Sequence, residues 1–163
     1  FPDKHYKLEK NLLIIGKVGA GKTLLMQVFS EYLRYTDNPN YFYNLSVTEM
    51  VNYYTIHNNL DRYTYNEENS KAFMPQPVNI CLNDIGIESR LHYGQDTKIL
   101  TNDFLHARNE IWTQTASDRR KFAHLTTNLS IQKLKEEFKD EFGRLVDRFK
   151  TYNVIELKGT SRR

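Results

Sequence analysis

The chain has 163 residues, of which 13% are aromatic, and a net charge of +3. This length favours one domain that buries a core without disulfide bonds, and the single Cys81 excludes an internal disulfide and favours a reducing, cytoplasmic setting. No apolar stretch approaches the roughly 18 residues needed to span a bilayer, so we expect no membrane partner. Because the sequence opens at Phe1 without a methionine, we expect residues 1–163 to be a single domain that lacks the N-terminal part of a longer chain.

The first predicted elements surround a glycine-rich loop. Residues 12–15 are an apolar run short enough for a buried strand, and residues 24–33 carry apolar side chains at helical spacing. Between them, GKVGAGKT at residues 16–23 fits the phosphate-binding pattern G-x-x-x-x-G-K-[ST] at every specified position. The apolar members of the predicted helix are Leu24, Leu25, Val28, Phe29, Tyr32 and Leu33.

The residue types of this loop suit a polyphosphate. Its glycines let the backbone turn tightly and point N–H groups at an anion, and the following helix adds the positive end of its dipole. Lys22 can reach the β- and γ-phosphates, and Thr23 offers a hydroxyl to Mg²⁺. The residues that we expect to bind the nucleotide here are Gly16, Gly19, Ala20, Gly21, Lys22, Thr23 and Leu24.

Strands and helices alternate along the rest of the chain. Further strands are predicted at residues 41–45, 78–82, 122–127 and 152–157. Helices are predicted from Ser46, where Glu49 completes capping-box spacing, and at residues 96–113, 130–138 and 140–149, whereas residues 58–77 are predicted to be a surface excursion. The side chains expected to face the core from the long helix are Ile99, Leu100, Phe104, Leu105 and Trp112. This alternation predicts an α/β fold with a parallel sheet covered on both faces.

The third strand ends at Asn83 and Asp84, where a metal ligand and a water-orienting group are needed opposite Thr23. In P-loop ATPases of the additional-strand type, this strand ends in two acids. One register makes Asp84 the water-activating acid beside Asn83; the other makes Asp84 the metal ligand and puts Ile85 where a base should be. We favour the first register because it keeps the apolar strand unbroken, and in both Asp84 is the acid expected to act.

Several other polar and basic residues could have either a functional role or an ordinary structural one. Asn128 follows the fourth strand, where it could hold the nucleophilic water or cap the next helix. Arg144 and Arg148 lie four apart on one predicted helical face, and either could reach a neighbouring subunit's nucleotide as an arginine finger or pair with a nearby acid. A set of basic residues could form a nucleic-acid-binding surface or an ordinary solvated surface. These residues are His106, Arg108, Arg119, Arg120 and Lys121.

The motifs follow one another in a particular order. GKVGAGKT, NDIG, TTNLS, FGRLVDRF and KGTSRR occur as in the DnaC/IstB family of AAA+ ATPases, which the chain resembles over nearly its whole length. The resemblance implies a P-loop NTPase fold, a three-layer αβα sandwich with strand order 5-1-4-3-2 and a lid that is small or absent. It also implies that Lys22 and Thr23 are the Walker A pair, Asn83 and Asp84 the Walker B pair, and Asn128 the sensor 1 residue.

The same resemblance implies an arginine finger at Arg148, with Arg144 as second choice, and a sensor 2 residue at Arg162. ATP and Mg²⁺ are the implied cofactors. Single-stranded DNA, a replicative helicase or transposase, and further copies in a head-to-tail assembly are the implied partners. The family usually has an acid where Asn83 stands, and we expect this difference to slow hydrolysis more than it weakens binding.

Three hypotheses follow. The first is a Mg²⁺-dependent ATPase that couples hydrolysis to DNA or a partner. The second is an assembly switch that binds ATP with little hydrolysis, for which Asn83→Asp should restore turnover. The third is a small-molecule P-loop kinase with Asp84 as base, although the sequence has no evident arginine-rich lid.

Overall fold

A computed structural model of the chain describes residues 6–65, 78–86, 91–92, 95–138 and 151–159. Its sheet contains five parallel strands, which are β1 Asn11–Gly16, β2 Tyr43–Ser46, β3 Ile80–Ile85, β6 Ala123–Thr127 and β7 Tyr152–Leu157. A separate antiparallel pair comprises β4 Leu91–His92 and β5 Gln95–Asp96. The sheet strands lie side by side in the order β2-β3-β6-β1-β7, which is 2-3-4-1-5 when only these five are numbered along the chain. The predicted α/β sheet and its strand order are therefore confirmed.

Five α-helices lie within the described residues. They are α1 Lys22–Tyr35, α2 Val47–His57, α3 Asp61–Thr64, α4 Thr97–Gln114 and α5 Ile131–Glu137. The capping box predicted at Ser46 is present, because its hydroxyl accepts from the Glu49 N–H and the Glu49 carboxylate accepts from the Ser46 N–H. The helix predicted at residues 140–149 lies outside the described residues. The β4–β5 pair was not predicted.

The two faces of the sheet are covered unequally. The connections that follow β2, β3 and β6 all run toward the β7 edge of the sheet, whereas the connection from β1 to β2 runs toward the opposite edge. Because such crossovers are right-handed, α1 lies on one face of the sheet and the other helices lie on the other face. The larger core lies under α2 to α5, and its fully buried members include Leu13, Met50, Val51, Leu82, Phe104 and Leu125. The smaller core lies under α1 and comprises Ile14, Met26, Phe42 and Cys81.

The apolar spacing of α1 does not mark a buried face. Exposure is 64% for Leu24, 59% for Val28 and 63% for Tyr32, whereas the helix buries Met26 and Ser30 together with Lys22. In α4, the prediction that Ile99 faces the core is wrong, because this side chain is exposed, while Leu100, Phe104, Leu105 and Trp112 are buried as expected. Helical periodicity therefore located both helices, but the apolar spacing in α1 does not coincide with its buried side.

Arg108 lies in the interior and not on a basic surface. Its two terminal guanidinium nitrogens donate to four main-chain carbonyls, those of Tyr63 at 3.2 Å, Val78 at 2.8 Å, Lys121 at 3.2 Å and Phe122 at 2.7 Å. These carbonyls belong to three segments that meet at the amino ends of β3 and β6. The inclusion of Arg108 in a nucleic-acid surface was therefore wrong, because the chain uses its charge to join three segments.

No helix within the described part of the chain is long and apolar enough to cross a membrane.

Candidate nucleotide-binding site

The loop between β1 and α1 has the conformation that its glycines predicted. Gly19 and Gly21 have φ angles of 81° and 82°, in the left-handed region that favours glycine. A side chain at Gly16 would press against the Leu157 carbonyl at 3.2 Å and the Ala20 β-carbon at 3.3 Å. Gly21 is the N-cap of α1 and provides no side chain to cap it, so the first-turn N–H groups face the loop as anion donors.

Lys22 is buried at the start of α1 although it carries a charge. Its exposure is 4%, and its Nζ donates to the Lys17 carbonyl at 3.1 Å and to Asn128 Oδ1 at 2.5 Å. Burial lowers the pKa of the Lys22 ammonium below its usual value, and the charge of Asp84 opposes that shift. The side chain is therefore already directed between the loop and the end of β6.

An open pocket of about 480 Å³ brings together residues from three predicted motifs. Lys22 and Thr23 come from the phosphate loop, Asp84 from the end of β3 and Asn128 from the segment after β6. The remaining lining residues are Val18, Gly19, Gly21 and Leu24. Because the carboxyl ends of β1, β3 and β6 meet at this edge, the pocket lies where parallel α/β sheets bind ligands.

The end of β3 contains a β-bulge that sequence periodicity did not predict. Leu82 pairs with Leu125 and Ile85 with Thr127, so β3 advances three residues while β6 advances two. Asp84 has a φ of 59° within this bulge. Leu82 and Ile85 consequently both enter the larger core, and Asp84 lines the open pocket. The regular β3–β6 pairing is therefore interrupted between Leu82 and Ile85.

Asn83 does not line this pocket but joins a series of hydrogen bonds between side chains that crosses three strands. Its Nδ2 donates to Asn44 Oδ1 on β2 at 3.1 Å, and its Oδ1 accepts from the Thr126 hydroxyl on β6 at 3.1 Å. The same Thr126 oxygen accepts from the Asp84 N–H at 2.9 Å. Asn83 is 5% exposed, so its amide takes part in the sheet interior beside the site.

The residues at the pocket fit a magnesium nucleotide. Mg²⁺ prefers oxygen ligands and binds proteins through one or two carboxylates together with substrate phosphates, and the Asp84 carboxylate and Thr23 hydroxyl supply oxygens of this kind. Bound there, the ion would neutralise charge on the phosphates. The loop amides and Lys22 would hold the phosphates themselves.

Three predicted arginines, Arg144, Arg148 and Arg162, lie outside the described residues, and their roles remain predictions. One further residue of the predicted basic group, Arg120, is accounted for by local contacts. Arg120 donates to the Trp112 and Thr115 carbonyls and lies over the Trp112 ring at 5.0 Å. Trp112 thus accounts for the position of Arg120 without nucleic acid.

A structure of DnaA from Aquifex aeolicus with bound AMPPCP is similar to the chain, with a TM-score of 0.55 and 22% identity. The fold is that of an AAA+ domain. The match covers 91% of this chain and 40% of the DnaA chain, so the chain spans less than half the length of that DnaA chain. No protein-family model matches the sequence, and no curated protein matches it.

The surroundings of the candidate site include two residues that sequence reasoning did not select, Asn44 and Thr126. Both are polar residues inside predicted strands, which is the signal that could have drawn attention to them. Thr126 also belongs to the TTNLS motif, where only Asn128 was assigned a role. Their contact with Asn83 depends on strand pairing between residues about 40 positions apart, which one sequence does not display.

Proposed function

We propose that this AAA+ domain binds ATP with Mg²⁺ and hydrolyses it in a head-to-tail assembly, coupling the nucleotide state to single-stranded DNA or a protein partner. The observation that carries the proposal is the convergence of Lys22, Thr23, Asp84 and Asn128 on one pocket beside a glycine-rich loop. The similar DnaA structure holds AMPPCP, an ATP analogue, which supports a nucleotide as the ligand.

Each residue has a role that its position supports. The loop amides and Lys22 bind the phosphates, Thr23 and Asp84 bind Mg²⁺, and Asn128 lies where it can contact the γ-phosphate or the attacking water. Asn128 now accepts from Lys22, so nucleotide binding would have to redistribute that hydrogen bond. We expect Asn128 to lose contact with the ammonium as the phosphates replace it.

A nucleotide-dependent assembly switch with little hydrolysis is the second candidate. It is supported by the position of Asn83, because the neutral amide that replaces the family's usual acid is hydrogen-bonded within the sheet and does not line the pocket. Turnover measured with and without single-stranded DNA separates the two candidates. The ATPase proposal predicts that DNA raises turnover, whereas the switch predicts slow turnover in both conditions.

The outer face of α1 supports assembly with another protein surface. Leu24, Val28, Tyr32 and Tyr35 form an exposed stripe along the helix, and Leu24 directly follows Thr23 of the phosphate loop. Exposed apolar patches of this kind are associated with protein interfaces. A contact along this stripe would lie next to the nucleotide, so nucleotide state could influence it.

The choice of partner depends on the resemblance to the DnaC/IstB family. The motif order supports a helicase loader or transposition helper, in which the domain would act on single-stranded DNA and a replicative helicase or transposase. A structural similarity to DnaA supports the AAA+ fold, and the motifs NDIG, TTNLS and GRLVDRF support the narrower assignment.

Arg148→Ala tests the proposed assembly and hydrolysis together. If Arg148 reaches a neighbouring subunit's nucleotide, its loss should lower turnover by about 10³- to 10⁵-fold, the range for arginine fingers in GTPases. Light scattering with ATP, Mg²⁺ and a DNA oligonucleotide should still detect the assembly. Arg144→Ala is the matched control and should have a smaller effect. Turnover at the parent rate by assembled Arg148→Ala would contradict the assignment.

A further inference from the structure

The backbone of Asp84 needs support from its surroundings. Its φ of 59° lies in the left-handed region, which an L-residue adopts at some cost and which persists where neighbouring structure over-determines it. The Asp84 N–H donates to the Thr126 hydroxyl at 2.9 Å, so β6 holds the bulge of β3 at the residue that faces the nucleotide pocket. Loss of this hydroxyl would remove the acceptor and not alter the pocket lining.

The Thr126 hydroxyl is itself oriented by Asn83. Because the hydroxyl donates to Asn83 Oδ1 at 3.1 Å, its lone pairs remain available to the Asp84 N–H. The other end of the Asn83 amide donates to Asn44 Oδ1 at 3.1 Å, which fixes which end of the amide faces Thr126. One directed chain therefore runs from β2 through β3 to β6 and back to Asp84.

An aspartate would not fit this chain in place of Asn83. A carboxylate has no N–H to donate to Asn44, and the Asn44 Nδ2 donates to the Met26 carbonyl at 3.4 Å, so an aspartate oxygen would face the Asn44 oxygen unless Asn44 gave up its bond to Met26. The position is also 5% exposed, where an unpaired negative charge is costly. Asparagine thus suits the hydrogen bond to Asn44. Asn83→Asp should disrupt this hydrogen-bond network, although it would restore the acid that the family usually has at this position.

We infer that Asn83, Asn44 and Thr126 are positioning residues that hold the β3 bulge and direct Asp84 toward Thr23 and Lys22. This inference rests on the proposed function, because it assigns the oriented Asp84 carboxylate to the magnesium ion. The phosphate loop contacts the nucleotide independently of these three hydrogen-bonded residues. Disrupting their hydrogen bonds should therefore weaken the contribution of magnesium to ATP binding and leave metal-free binding largely intact.

Thr126→Val is the direct test, because valine keeps the shape and removes the hydroxyl. ATP affinity is measured by calorimetry with excess Mg²⁺ and with EDTA, and the ratio of the two affinities gives the magnesium gain. We expect Thr126→Val to reduce this gain about tenfold, corresponding to a loss of about 1.4 kcal/mol, while the affinity in EDTA changes by less than about twofold. Binding in EDTA also reports that the variant is folded.

Two matched variants separate positioning from general stability. Thr126→Ser retains a hydroxyl and should keep the magnesium gain. Thr64→Val removes another buried hydroxyl, one that donates to the Leu60 carbonyl away from the pocket, and should lower stability without changing the gain. A fall in magnesium gain for Thr64→Val equal to that for Thr126→Val would contradict the inference.

Asn83→Asp is a second test, because the two interpretations predict opposite changes in the magnesium gain. The family pattern, with an acid at this position, predicts a larger gain, and the hydrogen bonds of Asn83 predict a smaller one. We expect its magnesium gain to fall below that of the unaltered protein. A rise would overturn the positioning role, and so would an unchanged gain in Thr126→Val. Absence of ATP binding by the unaltered protein would instead contradict the proposed function, so the two failures are distinguishable.

Discussion

Two buried cations lie at opposite ends of the sheet, and they differ in how fully the protein satisfies them. Arg108, at the amino edge, donates to four main-chain carbonyls from three segments. Lys22, at the carboxyl edge, donates to one carbonyl and to Asn128, and it lines an open pocket. Burial lowers the pKa of both groups, that of Arg108 to about 10. Arg108 thus has a structural environment, whereas the environment of Lys22 is suited to a ligand.

This difference teaches how burial of a charge can be interpreted. A buried cation surrounded by protein acceptors holds segments together, and a buried cation that faces a cavity with few acceptors is available to an anion. Both residues are basic side chains in helices, so their residue types do not separate the two roles. The identity and number of their acceptors do.

The largest expected effect is the loss of Arg108. Arg108→Met should destabilise the fold by about 3–5 kcal/mol, because it leaves four buried carbonyls without their donor. Urea denaturation followed by circular dichroism measures the change. Arg108→Lys keeps the charge but not the planar geometry and should recover only part of the stability. A stability loss under about 1 kcal/mol for Arg108→Met would remove the structural role.

His124, near the amino end of β6, should make the stability of the fold depend on pH. Burial and the nearby charge of Arg108 lower its pKa to about 3, and its Nδ1 accepts from the Leu12 N–H at 3.0 Å. The unfolded chain takes up this proton below about pH 6.5 and the folded chain does not until about pH 3, so stability should fall as pH falls through that window. Between pH 6.5 and 5.0 the expected loss is about 1.6 kcal/mol.

Urea denaturation at several pH values measures this loss, and variants assign it. His124→Gln should remove most of the slope between pH 6.5 and 5.0, although it also lowers stability at every pH. His106→Asn, at a half-buried position in α4, should retain the slope. An equal slope in His124→Gln and the unaltered protein would show that another group is responsible.

The smallest expected effect on stability is that of Lys22. Lys22→Met should change the free energy of unfolding by less than about 1 kcal/mol, because it removes the cost of burying a charge and leaves Asn128 able to contact water in the open pocket. The same urea titration measures it beside Arg108→Met. A loss as large as that of Arg108→Met would mean that both cations are structural.

The sequence was sufficient to predict those parts of the site whose residues are contiguous along the chain. The phosphate loop is contiguous, so its glycines, Lys22 and Thr23 are recognisable from spacing, and the alternation of strands and helices predicted the sheet. The bulge at Asp84 was not predictable in this way, because it depends on pairing between β3 and β6. Burial of Arg108 likewise depends on carbonyls that converge only in the folded chain.

The outer face of α1 illustrates a different limit of sequence reasoning. Periodicity identified a helix correctly, but apolar spacing does not distinguish a side that packs against the sheet from a side that remains exposed. In α1 the sheet contacts Met26 and Ser30, and the stripe from Leu24 to Tyr35 is exposed. Which side is buried depends on the crossover from β1 to β2 and not on the spacing alone.

Calorimetric titration of the chain with ATP and Mg²⁺ tests the central claim most directly. The account predicts saturable binding by the unaltered protein and by Lys135→Met, a control at an exposed lysine of α5, and loss of at least about tenfold in affinity for Lys22→Met while that variant remains folded. Absence of binding by the unaltered protein, or equal affinity in Lys22→Met, would contradict it.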